Sequence, residues 1–149
     1  MENELHILIG GTGTGKATYA KKLKKNIGID IFCPDDIEAK YIIFTSDQID
    51  KIVDNELKNH LNSGESFILD GKCLIPQKKI EIIKRAKNKG FKVYGYDFGS
   101  GNVMSLLRRL RNPRKYFSNY WETIYESDQR LYKSPTIKEG FEKIYYTPK

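Results

Sequence analysis

The fold of this 149-residue chain can be predicted from one stretch near its start, Leu5-His6-Ile7-Leu8-Ile9-Gly10-Gly11-Thr12-Gly13-Thr14-Gly15-Lys16-Ala17-Thr18. Its first five residues form a short apolar run that ends in glycines, which is typical of a β-strand buried on both faces. From Lys16 to Asn26 the apolar residues recur at helical spacing, and Gly28 follows as a stop signal. A glycine-rich turn therefore connects a buried strand directly to a helix.

The glycine-rich turn has the frame GxxxxGK, which is the phosphate-binding loop motif when it lies between a strand and a helix. Its glycines permit backbone conformations that turn successive N–H groups inward around phosphate oxygens. The helix N-terminus adds its dipole, and Lys16 can reach the β- and γ-phosphates as a point charge. The alternative is a turn that binds nothing, but Lys16 in register favours a nucleotide site formed by Gly10, Gly11, Thr12, Gly13, Thr14, Gly15, Lys16, Ala17 and Thr18.

Strands and helices alternate along the rest of the chain. The pattern predicts strands over 29–32, 67–69, 91–98 and 141–146, and helices over 47–61 (capped by Ser46), 76–90, 102–111 and 116–132. We expect the helix from Pro76 to bury Ile80, Ile83 and Ala86. Such alternation predicts an α/β fold with a parallel sheet and right-handed crossovers. No repeat or linker divides the chain, so we expect a single domain over residues 1–149.

Composition excludes several classes of protein. With 39% hydrophobic and 30% charged residues, the chain can form a globular core. No apolar run reaches the roughly 18 residues that span a bilayer, and the acidic start lacks the features of a secretory signal. Two cysteines, Cys33 and Cys73, are too few for a disulfide scaffold and lack the spacing of metal ligands. We therefore expect a cytoplasmic protein without a membrane partner.

Charge is distributed unevenly along the chain. Residues 1–70 hold 8 Lys/Arg and 12 Asp/Glu, whereas residues 71–149 hold 18 and 7, so their net charges are −4 and +11. All arginines lie in the second part, and four of them fall between 108 and 114. A surface that is positive on one side attracts the phosphates of nucleotides or nucleic acid. A merely solvated face is the simpler interpretation for the scattered lysines, whereas the arginine cluster favours a phosphate contact.

A pair of carboxylates, Asp35-Asp36, follows the second predicted strand. In an α/β sheet this position lies at the carboxyl edge, together with the phosphate loop, where ligands bind. A carboxylate there can accept a proton from an attacking hydroxyl group. The alternative is that Asp35 or Asp36 caps a short helix that runs to about Lys40. Both interpretations can hold, because one carboxylate can cap while the other acts on a substrate.

Together these features resemble the kinase domain of phage-type 5′-polynucleotide kinases and their P-loop kinase relatives. The shared features are the GxxGxGKxT loop, the Asp35-Asp36 pair, Asp70 after the third strand and an arginine-bearing segment after the fourth. The resemblance implies a three-layer sandwich with helices on both faces of a five-stranded parallel sheet of order 2-3-1-4-5, and a helical lid over about 108–132. It also implies ATP-dependent phosphoryl transfer to a hydroxyl group.

The resemblance also implies a role for each matching residue. Lys16 would hold the phosphates, Asp35 would be the general base, and an arginine of the lid would stabilise the transferred group. Arg109 and Arg114 are the main candidates for this stabilising role, and Arg130 on the next helix is a further candidate. Ala17 stands where the motif has a Ser or Thr that ligates Mg²⁺, and alanine cannot coordinate a metal. Ala17 followed by Thr18 resembles the Gly-Lys-Gly-Thr of adenylate kinases, in which Mg²⁺ is held largely through water, a role that would fall to Asp70.

The phosphate acceptor is where the sequence departs from the polynucleotide kinase pattern. Those enzymes have a basic residue three positions after the catalytic Asp, and this chain has Glu38 there. Related kinases phosphorylate sugars, nucleosides, antibiotics and hydroxymethylated bases. The basic second half favours the 5′-OH end of a nucleic acid, and a nucleoside or other small hydroxyl-bearing substrate is the alternative. A nucleotide-binding module without turnover, suggested by Ala17, is a third interpretation.

Overall fold

Five parallel strands form the centre of the structure, a computed structural model that describes residues 3–41, 43–71, 75–111 and 118–146. The strands are β1 (Asn3–Ile9), β2 (Asp30–Phe32), β3 (Phe67–Asp70), β4 (Phe91–Asp97) and β5 (Lys143–Tyr146). Their order in the sheet is β2-β3-β1-β4-β5, and every neighbouring pair is parallel. This arrangement confirms the predicted α/β fold and the predicted strand order.

Within the described residues, six α-helices connect the strands and cover both faces of the sheet. They are α1 (Lys16–Ile27), α2 (Pro34–Lys40), α3 (Ser46–Ser63), α4 (Pro76–Asn88), α5 (Val103–Arg111) and α6 (Ser118–Leu131). Side chains alternate between the two faces of β1, as they do in any strand. Leu5, Ile7 and Ile9 belong to one apolar cluster with residues of α3 and α4. Leu8 belongs to the other cluster, with Ala20 of α1. None of the described helices is long and apolar enough to cross a membrane.

The buried face of α4 differs from the prediction. Ile80 is 45% exposed, whereas Lys79 is 0% exposed and shares the buried face with Ile82, Ile83 and Ala86. The ammonium of Lys79 donates a hydrogen bond to the Lys133 carbonyl at 2.9 Å and lies 3.4 Å from a carboxylate oxygen of Glu139. A lysine can be buried when its charge is paired in this way. An apolar pattern cannot reveal a buried lysine, so the prediction that Ile80 is buried is wrong.

The structure contradicts the predicted cap of α3 and the alternative interpretation in which Asp35 or Asp36 caps α2. The cap of α3 is Thr45 rather than Ser46, because the Thr45 hydroxyl accepts a hydrogen bond from the Gln48 N–H and the Gln48 side chain accepts one from the Thr45 N–H. In α2 the cap position is held by Cys33, and Pro34 opens the helix. Asp35 and Asp36 therefore lie inside the first turn, where they interact with the helix dipole instead of capping.

Three strands are shorter than predicted, and one of them is β4, which ends at Asp97 instead of Phe98. β2 begins at Asp30, and β5 begins at Lys143, after Phe141. Phe141 is buried before the strand starts, because its ring packs over Gly95 of β4. A Cβ atom at Gly95 would lie 2.8 Å from the Phe141 ring, so only glycine permits this contact. The parallel strands thus bring the loop after β1, the start of α2 and the ends of β3 and β4 to one edge of the sheet.

Candidate functional site

The glycine-rich loop curls over the N-terminus of α1. Gly13 and Gly15 have φ angles of 71° and 97°, in the left-handed region that glycine enters without steric cost. Tyr19 N–H donates to the Gly15 carbonyl at 3.0 Å, so the earlier N–H groups of the helix point out of its N-terminus. The Lys16 ammonium folds back over the loop, with Nζ 3.4 Å from the Gly11 carbonyl. Backbone dipoles and a positive charge therefore converge on one concave surface, which suits an anion.

The segment after β4 packs directly onto this loop. Gly11 N–H donates to the Gly99 carbonyl at 2.9 Å, and Phe98 N–H donates to the Ile9 carbonyl at 2.8 Å. A Cβ atom at Gly11 would lie 2.0 Å from the Ser100 carbonyl oxygen, and one at Gly13 would lie 2.2 Å from that of Ser105. Close backbone approach thus explains a glycine at 11, a position that the motif itself leaves open.

A cleft of about 350 Å³ lies beside the loop. It is lined by Thr14, the segment 98–102, Ser105 and Arg108. The Arg108 guanidinium donates a hydrogen bond to the Gly13 carbonyl at 3.2 Å and is otherwise exposed. The cleft therefore combines backbone polar groups with a cation next to the concave surface of the loop.

Two neighbouring arginines of α5 contact different parts of the structure. Arg108 reaches the loop, whereas the guanidinium carbon of Arg109, a predicted lid arginine, lies 4.7 Å from the ring centroid of the buried Trp121. That distance is typical of a cation–π contact. Arg114, the other predicted arginine, lies outside the described residues, as does Cys73. The roles of Arg109 and Arg114 stay predictions, and Arg108 donates a hydrogen bond to the loop.

Three carboxylates lie on the opposite side of the loop. Asp35 and Asp36 are exposed on the first turn of α2, and Asp70 is buried at the end of β3, where it pairs in register with Leu8. Burial raises the pKa of the Cys33 thiol to about 12, with smaller contributions from the negative charges of Asp70, Asp35 and Asp36. The negative charges of all three carboxylates thus affect the same thiol at this edge of the sheet. The Cys33 thiol is protonated at neutral pH and is not an activated nucleophile.

The residues near the loop fit Mg²⁺ in one respect only. Ala17 offers no side-chain oxygen ligand, and Asp70 is a carboxylate at the end of β3, one of the two strands that flank β1. Within the described ranges, no three carboxylate, imidazole or thiol groups form a cluster that could enclose a metal. Because Mg²⁺ commonly keeps several waters and binds through one or two carboxylates plus phosphates, Asp70 suits a metal held through water.

Two buried carboxylates near the loop were not predicted from the sequence. Asp128 of α6 accepts a hydrogen bond from the Thr12 N–H at 2.8 Å. Asp97 ends β4, and it accepts hydrogen bonds from the Gly99 N–H at 2.9 Å and from the Tyr132 hydroxyl at 2.8 Å. Burial and this hydrogen bond to Asp97 raise the pKa of Tyr132 to about 12, so the phenol remains a donor. No motif surrounds either carboxylate, and only the position of Asp97 at a strand end gave a signal.

Comparisons with known proteins show which fold this is. No protein-family model matches the chain, and no curated protein is similar to it in sequence. Among solved structures, Chaetomium thermophilum Kti12 in complex with ADP-AlF3 has a TM-score of 0.69 at 15% identity, covering 95% of this chain and 87% of that one. A sugar kinase from Janibacter sp. HTCC2649 has a TM-score of 0.67 at 11% identity, covering 97% and 86%. A gluconokinase from Sinorhizobium meliloti 1021 has a TM-score of 0.59 at 13% identity, covering 97% and 81%. The chain therefore has the fold of the P-loop kinases.

Proposed function

We propose that this protein transfers the γ-phosphoryl group of ATP to a hydroxyl group of an acceptor. The observation that carries the proposal is the loop between β1 and α1, whose backbone and Lys16 ammonium converge on one concave surface. The fold of the chain is shared with the gluconokinase and the sugar kinase, and with Kti12, whose structure contains ADP-AlF3. The carboxylates of Asp35 and Asp70 lie at the same edge of the sheet, where the acceptor would bind.

The nucleotide would occupy the loop and the adjacent cleft. The N-terminal N–H groups of α1 and the Lys16 ammonium would bind the β- and γ-phosphates, and the cleft would take the rest of the nucleotide. The Arg108 guanidinium bonds to a neutral carbonyl, that of Gly13. A phosphate oxygen is a stronger acceptor than a carbonyl, so Arg108 can exchange one for the other when ATP binds.

Asp35 would act on the acceptor. Its exposed carboxylate at the start of α2 can orient the hydroxyl group and accept its proton as the oxygen attacks the γ-phosphorus. The new O–P bond forms in line with the bond to the β-phosphate oxygen, which breaks and leaves ADP. When bound, Mg²⁺ neutralises charge on the β- and γ-phosphates, and Asp70 is the residue that would hold it through water.

For the acceptor, we propose the 5′-OH end of a polynucleotide. Its support is the net charge of +11 on residues 71–149, because a broad positive surface attracts a phosphate backbone. A small uncharged acceptor, such as a nucleoside or a sugar, is the second candidate. It is favoured by Asp35, Asp36 and Glu38, which are all exposed on α2 and repel phosphates near the reacting hydroxyl.

The test is transfer of labelled phosphate from ATP to a 5′-OH oligonucleotide, a nucleoside and a sugar. Lys16→Ala should abolish transfer and weaken ATP binding, because it removes the positive charge of the loop. Lys21→Ala is the matched control, since Lys21 is exposed on the same helix.

Each outcome separates one candidate from the others. Transfer to the nucleoside or sugar, with none to the oligonucleotide, would overturn the polynucleotide proposal and leave the kinase proposal intact. ATP binding without transfer to any acceptor would favour a binding module. A Lys16→Ala protein that transfers phosphate at the parent rate would show that the loop has been assigned wrongly.

A further inference from the structure

The end of α6 is bound to the phosphate loop through Asp128. This side chain is 2% exposed, and its Oδ2 atom accepts a hydrogen bond from the Thr12 N–H at 2.8 Å. Thr12 itself is 6% exposed. A hydrogen bond from a backbone amide to a carboxylate is stronger than one between neutral groups. The conformation of the loop at Thr12 thus depends on a helix that lies more than a hundred residues further along the chain.

A second set of contacts joins the same end of α6 to the neighbouring residue of the loop. The Tyr132 hydroxyl donates to Asp97, and Asp97 accepts a hydrogen bond from the Gly99 N–H. The Gly99 carbonyl in turn accepts a hydrogen bond from the Gly11 N–H at 2.9 Å. The Thr12 N–H is therefore held by α6 itself, and the Gly11 N–H is held by Gly99, which is linked through Asp97 to Tyr132, the residue that follows α6.

Gln129, next to Asp128 in α6, binds the segment that follows β4. Its side-chain amide donates to the carbonyls of Gly101, at 2.8 Å, and Ser100, at 3.1 Å. A Cβ atom at Gly11 would lie 2.0 Å from the Ser100 carbonyl oxygen and 3.3 Å from Asp128 Oδ2. Rotation of the Gly11–Thr12 peptide would thus break hydrogen bonds and meet closely packed atoms.

We propose that Asp128 is a positioning residue, which holds the first half of the phosphate loop so that its second half is preorganised for the phosphates of a nucleotide. The N–H groups of Gly11 and Thr12 donate hydrogen bonds within the protein, to Gly99 and Asp128. The N–H groups at the N-terminus of α1 would instead face the anion. The inference rests on the proposed function for the identity of the ligand, a nucleoside triphosphate. It does not require that the protein transfers a phosphoryl group.

Preorganisation has a measurable consequence for affinity. If the loop samples other conformations once Asp128 is removed, the apparent dissociation constant rises as the inverse of the fraction of molecules that stays competent to bind. The contact needs an acceptor oxygen at the end of a short side chain. Asparagine supplies that oxygen and alanine does not, so the two substitutions at 128 should differ in effect.

The experiment compares Asp128→Ala, Asp128→Asn and a control variant, Glu139→Gln. Glu139 pairs with Lys79 and accepts a hydrogen bond from the Thr136 N–H, and neither contact includes a loop residue, so this control lowers stability without removing a contact of the loop. We expect Asp128→Ala to weaken ATP binding about tenfold and to speed hydrogen exchange of the Thr12 amide, since one charge-assisted hydrogen bond is lost. Asp128→Asn should stay within about threefold of the parent, as expected of a neutral acceptor at the same place. Glu139→Gln should lower the unfolding temperature and leave ATP affinity unchanged.

Several results would overturn the proposal. One is an Asp128→Ala protein with the parent's ATP affinity and Thr12 exchange; another is an equal loss of affinity in Asp128→Ala and Glu139→Gln, which would indicate general destabilisation. If Asp128→Ala does not fold, the Thr12 amide proton resonance of Asp128→Asn decides, because it must shift upfield when the carboxylate becomes an amide. If the parent protein binds no ATP, the proposed function fails, and Thr12 exchange still tests the contact by itself.

Discussion

At the scale of single residues, Asp35 and Asp36 are neighbours that the proposed mechanism separates. Both are exposed on the first turn of α2, and both interact with its dipole. If Asp35 takes the proton of the acceptor, Asp35→Asn should lower kcat by roughly 10²–10⁴-fold, the usual contribution of a general base, with little change in ATP affinity. Steady-state kinetics and ATP titration of the purified variant would measure both quantities.

Asp36→Asn is the control for that prediction. It removes the same charge from the same turn, so it should cost a little helix stability and leave kcat close to that of the parent. A larger loss of kcat in Asp36→Asn than in Asp35→Asn would assign the base to Asp36 instead.

The metal site can be tested at Asp70 and Ala17. Asp70→Asn should raise the Mg²⁺ concentration needed for half-maximal transfer, because the charge that would organise the metal's waters is lost. Ala17→Ser should lower that concentration, because it adds the hydroxyl ligand that the loop lacks. Identical Mg²⁺ titrations of Asp70→Asn and the parent would remove Asp70 from the metal site.

The Cys33 thiol reports independently on the charge of Asp70. In a Cys73→Ser background Cys33 is the remaining thiol of the chain. Its pKa is raised to about 12, chiefly by burial and next by Asp70, so little thiolate is present at neutral pH. Neutralising Asp70 lowers that pKa, and alkylation by iodoacetamide should become faster in Asp70→Asn. This measurement shows that the substitution has changed the local field even if activity is unaltered.

At the scale of elements, α5 presents two adjacent arginines to different neighbours. Successive residues of a helix lie about 100° apart around its axis, so Arg108 reaches the loop while Arg109 packs on Trp121 of α6. We expect Arg108→Ala to lower kcat/KM for ATP by about 10–100-fold, less than a full arginine finger contributes. Arg109→Ala should mainly lower the unfolding temperature, because the contact between α5 and α6 is lost.

The same pair of variants tests the role predicted for Arg109 from the sequence. Kinetics and thermal unfolding should be measured on both proteins. A large loss of kcat in Arg109→Ala with an unchanged unfolding temperature would restore Arg109 as the arginine that acts on the transferred group.

At the scale of the whole molecule, His6 makes stability depend on pH. It is buried on β1, where Nδ1 lies 2.8 Å from the Tyr96 hydroxyl, and its ring stacks on Tyr94. Burial lowers the pKa of His6, and the opposing effect of Glu4 is smaller. In the unfolded chain the imidazole has a pKa of about 6.5. Below that pH the unfolded state therefore takes up a proton that the folded state does not.

The free energy of unfolding should therefore fall as the pH drops from about 6.5 toward the lower pKa of the folded state. Denaturant unfolding at about pH 7.5 and about pH 5.5 measures the difference. In His6→Gln that difference should shrink, since glutamine does not titrate, and the remainder comes from other groups. An equal pH dependence in both proteins would contradict the assignment to His6.

The sequence alone determined the strand, loop and helix of residues 5–27, because their signals are local. Apolar runs, glycine positions and helical spacing act over a few residues, and they also predicted α3, α4 and β4 to within a few residues. The strand order came from the resemblance to P-loop kinases and was confirmed by the sheet. Asp35 and Asp70 could be placed at the same edge of the sheet because the carboxyl ends of parallel strands meet there.

Which polar side chains contact the loop depends on how distant parts of the chain pack together. Asp128 lies in a helix with no motif around it and touches Thr12 only because α6 folds back onto the loop. Arg108 and Arg109 are identical in type and adjacent, so their different partners depend on how α5 packs. Lys79 is buried because Glu139 and the Lys133 carbonyl come from a distant segment to meet it. Each of these contacts joins residues far apart in the chain, and local spacing carries no information about such pairs.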